Sequence, residues 1–259
     1  MQPSLWHSVG EADLPSGREW LSPDDLRRVT SMHFTKRRTE WLLARWTGKQ
    51  VLAAALSLPS DPASLAGIEI ATIIGGDAQG APWVLVHGRH RAIGVSLTDR
   101  AGWAVCMVAD NEEIGCDLEL VEPRSDNFVR DYFTVVERRT VASPPFEASP
   151  DLLANLMWSA KESTLKVLRT GLRRDTRSVE IALSDATPAH GWRPLVSSTE
   201  EGRQFPGWWR RYGSFLLTVV TGVECDPPRP LVEPPPLAAA RPSHSWMSNP
   251  VVSQRGLDG

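Results

Sequence analysis

The sequence predicts an α+β fold made of two halves of similar size that meet near residue 112. Helical and strand-like segments occur in both halves, and the second half ends in strands. No stretch repeats at a fixed period. A chain of 259 residues is long enough for one large domain or two modest ones.

The first half is predicted to begin with a strand over residues 5–9. Ser22 and Pro23 mark the start of a helix, because serine is a favoured N-cap and proline a favoured first residue. A longer helix is predicted over residues 36–56, where apolar residues are compatible with helical spacing and Pro59 ends the pattern. Four strands follow, bounded by glycine and charged turn residues: 68–74, 83–86, 92–97 and 103–108.

The second half is predicted to begin with a strand over residues 114–123, where polarity alternates. Two short helices and a loop lead to a helix over residues 151–170, with Gly171 as its C-cap. Strands return at 179–183 and 214–221. Residues 225–259 are rich in proline and have little to bury, so a disordered tail is predicted there.

Bulk composition is ordinary for a globular protein, with 41% hydrophobic and 23% charged residues. The net charge of -3 gives no overall attraction to nucleic acid or an anionic membrane. The three cysteines form neither a metal-type pair nor a disulfide framework. No signal peptide and no apolar run of membrane-spanning length is recognised, so a cytoplasmic location is expected.

The predicted strand IGCDLEL carries two carboxylates on one face, because side chains alternate along a strand. Asp117 and Glu119 therefore point the same way. Taken alone, this pattern most simply indicates a solvated edge with two surface acids. The alternative is a site for Mg²⁺ or Mn²⁺, which prefer oxygen ligands, with Glu162 as the third ligand.

The helix WSAKESTLK places Trp158, Glu162 and Lys166 four residues apart, in one inclined row along its surface. Taken alone, this row most simply indicates a solvated helix face with a Glu–Lys pair, Glu162 and Lys166.

Together, the two segments resemble the signature of the 4'-phosphopantetheinyl transferase superfamily. That signature is (I/V)G-x-D-x-(E), followed about forty residues later by (F/W)-x-x-K-E-(A/S)-x-x-K. Its fixed positions are present here as Ile114, Gly115, Asp117, Glu119, Trp158, Lys161, Glu162, Ser163 and Lys166. The resemblance extends to KRRTEWLLAR, GAPW and SLTDRAGWAVC, and it covers roughly residues 5–222.

The chain length fits the monomeric Sfp type of the superfamily. That resemblance implies two similar α/β subdomains related by pseudo-two-fold symmetry. Residues 1–112 would form the N-terminal subdomain with a basic helix that binds coenzyme A. Residues 113–224 would form the C-terminal subdomain with the metal site and the catalytic helix.

The resemblance implies transfer of 4'-phosphopantetheine from coenzyme A to a serine of an apo acyl or peptidyl carrier protein, with release of 3',5'-ADP. Mg²⁺, or Mn²⁺, on Asp117, Glu119 and Glu162 is expected to neutralise the diphosphate. Glu162 is the expected general base, and Lys166 is expected to neutralise or protonate the departing oxygen.

Eight residues are expected to contact coenzyme A: Arg37, Arg45, Arg38, Arg100, Thr98, Asp117, Lys161 and Lys166. The resemblance favours Arg37 with Arg45 as the phosphate-binding pair. Helical geometry alone favours Arg38 with Arg45, which are seven residues apart and nearly in line. Arg38 is therefore kept as the alternative.

Two positions depart from the family pattern. Asp99 stands where a histidine usually helps to hold the 3'-phosphate of coenzyme A, and an aspartate would repel that phosphate. Arg100, the next residue, is expected to compensate. Gln79 stands where a basic residue often precedes the Gly-x-Pro turn.

Asp99 also motivates an alternative function, a non-catalytic relative that binds coenzyme A or a carrier protein. The intact acidic and basic positions of the signature argue against it. A third hypothesis, nucleic-acid binding through the basic segments KRR and RRYG, is opposed by the acidic net charge.

Overall fold

The structure is a computed structural model that describes residues 4–76, 79–110, 113–145 and 148–243. These residues form α-helices and three sheets of four, five and three strands. The predicted α+β class is therefore confirmed. No helix within the described ranges is both long enough and apolar enough to cross a membrane.

The first half holds two of the sheets. Its elements are β1 (Leu5–Gly10), α1 (Pro23–Thr30), α2 (Thr35–Ala55), α3 (Pro62–Ala66), β2 (Ile68–Thr72), β3 (Pro82–Val86), β4 (Arg89–Arg91), β5 (Gly94–Arg100) and β6 (Trp103–Ala109). β1, β6 and β5 pair antiparallel in that order, and β2, β3 and β4 form a separate antiparallel sheet.

α2 packs against both sheets of the first half through a buried apolar face. Ser22 caps α1 as predicted, and its capping box is completed by Asp25. The same carboxylate lies 2.6 Å from the Nζ atom of Lys49 on α2, and the Lys49 amine also donates to the carbonyl of Trp20. This buried ion pair fixes α1 against α2.

The second half holds one sheet with the order β7-β11-β10-β9-β8. Its elements are β7 (Ile114–Leu120), α4 (Asp126–Tyr132), α5 (Val135–Ala142), α6 (Pro150–Val167), β8 (Val179–Leu183), β9 (Arg193–Thr199), β10 (Gln204–Tyr212) and β11 (Phe215–Thr221). All neighbouring strands of this sheet run antiparallel. β9 and β10 were not among the predicted strands.

α6 lies directly on β7 and β11, and Gly115 makes this close approach possible. A Cβ atom at Gly115 would collide with the carbonyl oxygen of Ser163 on α6. Ser163 and Ser159 each share a 2.8 Å hydrogen bond with the hydroxyl of Thr218 on β11. These contacts fix the position of α6 relative to β11 and to Asp117, which pairs with Thr218 in the sheet.

β5 and β7 join the two halves through side chains. The Ser96 hydroxyl accepts a 2.9 Å hydrogen bond from the backbone N–H of Cys116, and the Thr98 hydroxyl accepts one of 3.1 Å from Leu118. Each half combines a long helix with an antiparallel sheet, but the pseudo-two-fold relation stays a prediction. So does the boundary at residue 112, because residues 111 and 112 lie outside the described ranges.

The prediction of a disordered tail is wrong for residues 226–243. A two-residue strand, β12 (Arg229–Pro230), pairs with β1, and the Leu231 N–H donates to the carbonyl of Trp6. Leu237 is fully buried in a core cluster with Trp6, Trp192 and Tyr212. The few apolar residues of this segment are enough to order it, because Leu237 packs against residues from both halves. Residues 244–259 lie outside the described ranges.

The predicted end of the helix that carries Glu162 is also wrong. α6 ends at Val167 with Leu168 as its C-cap, and Arg169 takes the left-handed conformation with a φ of 56°. Gly171 instead begins a short 3-10 turn, Gly171–Arg173.

Candidate active site

β7 carries the two predicted acids in a buried setting. Asp117 is 7% exposed and Glu119 is 9% exposed, and every residue of β7 is buried. A solvated strand edge, the simpler alternative, is therefore excluded. Since buried carboxylates need partners, the contacts of each acid define what the site can do.

Asp117 is bound on one oxygen only. Its Oδ1 atom accepts hydrogen bonds from Lys166 Nζ at 2.9 Å and from the Thr98 hydroxyl at 3.2 Å. Its Oδ2 atom is buried and has no hydrogen-bond partner within the described residues. Burial, the largest single effect, lowers the pKa of Lys166, but Asp117 and the other nearby acidic groups together raise it above its usual value. Lys166 therefore remains protonated.

Glu119 is surrounded by donors. The Oε2 atom lies 3.1 Å from Arg124 Nη2 and 3.3 Å from Arg100 Nε, while Oε1 accepts a 3.0 Å hydrogen bond from the Trp158 indole. Burial, and then the charge of Asp117, raise the pKa of Glu119, and the two arginines oppose that effect. Trp158 thus links α6 to β7 through a polar contact.

Glu162 is half-buried and has no hydrogen bond or ion pair in the part of the chain that the structure describes. Burial, followed by the charge of Asp117, raises its pKa to about 7, and Lys166 opposes the shift. A carboxylate with a pKa near neutrality is suited to accept a proton at physiological pH.

The predicted row of Trp158, Glu162 and Lys166 does face the acids of β7. Trp158 bonds Glu119, Lys166 bonds Asp117, and the pKa of Glu162 is affected by both acids. Cys116, the residue before Asp117, is not a candidate nucleophile, because burial raises the pKa of its thiol to about 11.

The predicted metal triad is not assembled in this arrangement of side chains. Across the described ranges, no group of three or more histidine, cysteine, aspartate or glutamate side chains is placed to hold a metal ion. Lys166 and the two arginines occupy oxygens of Asp117 and Glu119. The chemistry of the donor set still fits Mg²⁺, because the ligand atoms are all oxygen and Oδ2 of Asp117 is buried without a partner.

A cavity of about 350 Å³ lies beside Lys166, at the junction of the two halves. Its cationic lining comes from Arg45, Lys166, Arg169 and Arg173. No aspartate or glutamate from the described residues lines it. A cluster of four cationic side chains favours binding of a ligand with several negative charges.

A second cavity, of about 490 Å³, adjoins the cationic one and shares Thr72, Pro82, Val95 and Arg169 with it. Its other walls are mainly apolar and include the rings of Trp83 and His90, whose centroids lie 5.5 Å apart.

Residues 113–211, which contain β7 and α6, match the 4'-phosphopantetheinyl transferase superfamily. The 4'-phosphopantetheinyl transferase HetI of Nostoc sp. (strain PCC 7120 / SAG 25.82 / UTEX 2576) is 25% identical over 182 residues, which cover 69% of this chain and 72% of that protein. The segment that carries the candidate site therefore matches the 4'-phosphopantetheinyl transferase superfamily. Coenzyme A is the phosphopantetheine donor for the superfamily in general.

Among the residues expected to bind coenzyme A, Arg45 lines the cationic cavity. Its guanidinium lies 4.9 Å from the centroid of the Trp41 ring, and its buried Nε atom has no hydrogen-bond partner in the described residues. Arg37 is exposed and Arg38 is half-buried, and neither lines that cavity. Their contacts with coenzyme A stay predictions.

The expected contact of Lys161 with coenzyme A is not compatible with its position. Lys161 is fully buried, and its amine bonds Glu137 at 2.9 Å and the carbonyls of Thr176 and Val179. Lys161 lies about 100° around the helix from Glu162, so the two residues face different neighbours. The superfamily lysine here connects α6 to α5 and β8.

Asp99, which departs from the family pattern, is more than one-third exposed near the end of β5. Arg100 turns to the acids: its Nη2 lies 3.6 Å from Glu122, in addition to the contact with Glu119. Thr98 contacts Asp117 directly. Thr98 and Arg100 are thus at the site, while compensation for the missing histidine stays a prediction.

Three arginines of the site were missed by the sequence analysis. Arg124 bridges Glu119 and the side chain of Asn155 on α6, with a 2.7 Å bond from Nε to the amide oxygen. Arg169 and Arg173 line the cationic cavity. The basic run that follows the signature lysine, RTGLRR, is the signal that indicates the last two.

Proposed function

We propose that this protein transfers 4'-phosphopantetheine from coenzyme A to a serine of an apo acyl or peptidyl carrier protein and releases 3',5'-ADP. The match of residues 113–211 to the superfamily and the similarity to HetI support phosphopantetheinyl transfer in general. The observation that carries the specific proposal is the position of Glu162. This acid, with a pKa of about 7, lies one turn from Lys166, and Lys166 lines the cationic cavity.

In the proposed step, the serine hydroxyl oxygen attacks the phosphorus that bears pantetheine. A P–O bond to serine forms, and the P–O bond to the 5'-phosphate oxygen of 3',5'-ADP breaks. Glu162 accepts the hydroxyl proton, and the departing oxygen keeps the electron pair. Lys166 offsets the new charge, and such charge stabilisation is the main requirement of phosphoryl transfer.

The cationic cavity supports coenzyme A as donor because a diphosphate and a 3'-phosphate concentrate negative charge. Arg45 comes from the first half, and Lys166 and Arg173 come from the second. A ligand in the cavity would therefore contact both halves. The neighbouring apolar cavity with Trp83 and His90 adds room for uncharged parts of the donor.

Mg²⁺ or Mn²⁺ is part of the proposal, with Asp117, Glu119 and Glu162 as the residues that would hold it. When bound, the ion would supply positive charge to the diphosphate. The unpartnered Oδ2 atom of Asp117 supports this assignment.

The carrier protein is proposed to dock beside Trp158. Tyr132 on α4 is 39% exposed, and its ring centroid lies 5.2 Å from that of Trp158. Val135 and Val136 at the start of α5 are each 53% exposed. An exposed apolar surface of this kind suits a helix of a partner protein. Phe133, which lies between Tyr132 and Val135 in the sequence, is buried in the core and does not contribute to this surface.

The test is an incubation of the protein with coenzyme A, Mg²⁺ and a panel of purified apo carrier proteins. We expect the mass of at least one carrier to increase by one phosphopantetheine unit, with release of 3',5'-ADP. A carrier whose acceptor serine is replaced by alanine provides the control.

The alternative, a non-catalytic relative that binds coenzyme A or a carrier protein, is favoured by Asp99. The same experiment separates the two functions. Binding of coenzyme A without any mass increase across the panel would contradict the transferase and support the alternative.

A further inference from the structure

The residue that follows the C-cap of α6, Arg169, has a backbone conformation that is unusual for any residue other than glycine. Leu168 is the C-cap, Arg169 has a φ of 56°, and the Thr170 N–H donates a 3.1 Å hydrogen bond to the carbonyl of Leu165. Glycine is the usual residue at this left-handed position, because any Cβ atom there is strained. The chain therefore places a long charged side chain at a position where glycine is favoured.

α2 ends in the same way and provides an internal comparison. Ser57 has a φ of 54°, and the Leu58 N–H donates a 2.8 Å bond to the carbonyl of Ala53. Ser57 is exposed and lines neither of the two cavities. The two helix ends share one backbone geometry and differ in what the left-handed residue faces.

Arg169 is placed at the junction of the two cavities and lines both. Arg173, which lines the cationic cavity as well, donates from Nη2 to the carbonyl of Arg169 at 3.1 Å and from Nη1 to the carbonyl of Gln79 at 3.1 Å. Arg173 therefore ties the strained backbone to the turn before β3, on the other side of the cavity.

A cation near a helix C-terminus also stabilises the helix by itself, because the last carbonyls carry partial negative charge. If that were the role of Arg169, its removal would lower the melting temperature. Replacement by glycine would also remove a strained Cβ atom from a left-handed position, and this effect would raise the melting temperature. The two explanations therefore predict opposite changes in stability when Arg169 is replaced by glycine.

We propose that Arg169 is a phosphate-binding residue of the coenzyme A cavity, and that its left-handed position at the end of α6 places the side chain where the two cavities meet. The inference rests on the proposed function for the identity of the ligand. The shared chemistry is a phosphate group, either in the diphosphate or at the 3' position.

The test compares Arg169→Gly with Ser57→Gly in the full chain. Both variants should melt roughly 2–4 °C higher than the parent, because each removes a left-handed Cβ. Calorimetric titration should show coenzyme A binding about tenfold more weakly to Arg169→Gly, as expected for the loss of a charge-assisted hydrogen bond. Ser57→Gly should bind as the parent does, and Arg169→Lys should lie between parent and glycine variant.

Two further ligands make the outcome specific. If the loss is confined to coenzyme A and absent with 3'-dephospho-coenzyme A, Arg169 binds the 3'-phosphate. If both weaken equally, it binds the diphosphate. Inorganic pyrophosphate tests Arg169 independently of the proposed function, since a parent that binds pyrophosphate but not coenzyme A would refute only that function. Unchanged affinity of Arg169→Gly for coenzyme A and pyrophosphate overturns the inference, whatever the melting temperature does.

Discussion

Lys166 on α6 lies 2.9 Å from Asp117 on β7, and its amine also donates to the carbonyl of Cys116 at 2.7 Å. The lysine thereby connects α6, the acidic strand β7 and the cationic cavity. Asp117 in turn contacts Thr98 of β5, so a single chain of contacts crosses from one half to the other.

Replacement of Lys166 by methionine is expected to lower kcat for carrier modification by about 10²–10³-fold, because the charge that offsets the departing phosphate oxygen is lost. Steady-state kinetics with coenzyme A and a carrier that the parent modifies would measure this loss. Lys166→Arg, which keeps the charge, should retain more activity than Lys166→Met. Equal activity of the parent and Lys166→Met would remove Lys166 from the proposed step.

Glu162→Gln is expected to abolish measurable transfer while it leaves the melting temperature near that of the parent. Glutamine has nearly the same shape but cannot accept the serine proton, and general-base assistance is worth roughly 10²–10⁴-fold. The carrier mass assay and thermal unfolding would be measured on one preparation. Turnover close to that of the parent would exclude Glu162 as base.

The sequence predicts the row on α6 and the paired acids on β7 because both patterns are local. Spacing of four along a helix and of two along a strand determines which side chains share a face. The glycine at position 115 is explained by the structure, because α6 packs so closely that a Cβ atom there would collide with it.

The partners of these residues depend on tertiary packing and could not be predicted in the same way. No spacing rule indicates that Lys161 faces Glu137, because the two lie on different helices. β9 and β10 were missed because Pro194, Pro206 and Gly207 interrupt their patterns. Gly207 is required there, since a Cβ would approach the carbonyl of Val219 at 2.5 Å.

His7 on β1 gives the fold a pH dependence. Burial lowers the pKa of this imidazole from 6.5, and a hydrogen bond with Gln50 opposes the shift only in part. Below pH 6.5 the unfolded chain therefore binds more protons than the folded chain, so acidification through this range lowers the free energy of unfolding.

Urea unfolding at about pH 7.5 and about pH 5.5 would measure this contribution. The parent should lose more stability between the two pH values than His7→Gln, which cannot titrate. Identical losses in both proteins would show that His7 does not contribute.

Leu237 is expected to stabilise the whole fold although it follows the last strand of the second half. Leu237→Ala should lower the free energy of unfolding by about 2–5 kcal/mol, as for a fully buried leucine. Val232, 48% exposed on the same segment, provides the matched control, and Val232→Ala should change stability by less than about 0.5 kcal/mol. If both variants unfold at the parent's urea midpoint, the segment does not contribute to the core.

Lys161 and Lys166 are separated by five positions on α6. Replacement of Lys161 should affect stability, whereas replacement of Lys166 should affect activity. Lys161→Met leaves Glu137 buried without its cation, and breaking such a pair costs about 3–5 kcal/mol. We expect lower stability in urea but, for the protein that remains folded, unchanged affinity for coenzyme A by calorimetry. The double variant Lys161→Met, Glu137→Leu should recover part of the stability, because no unpaired charge remains. Weaker coenzyme A binding by that double variant would contradict the structural role and return Lys161 to the binding site.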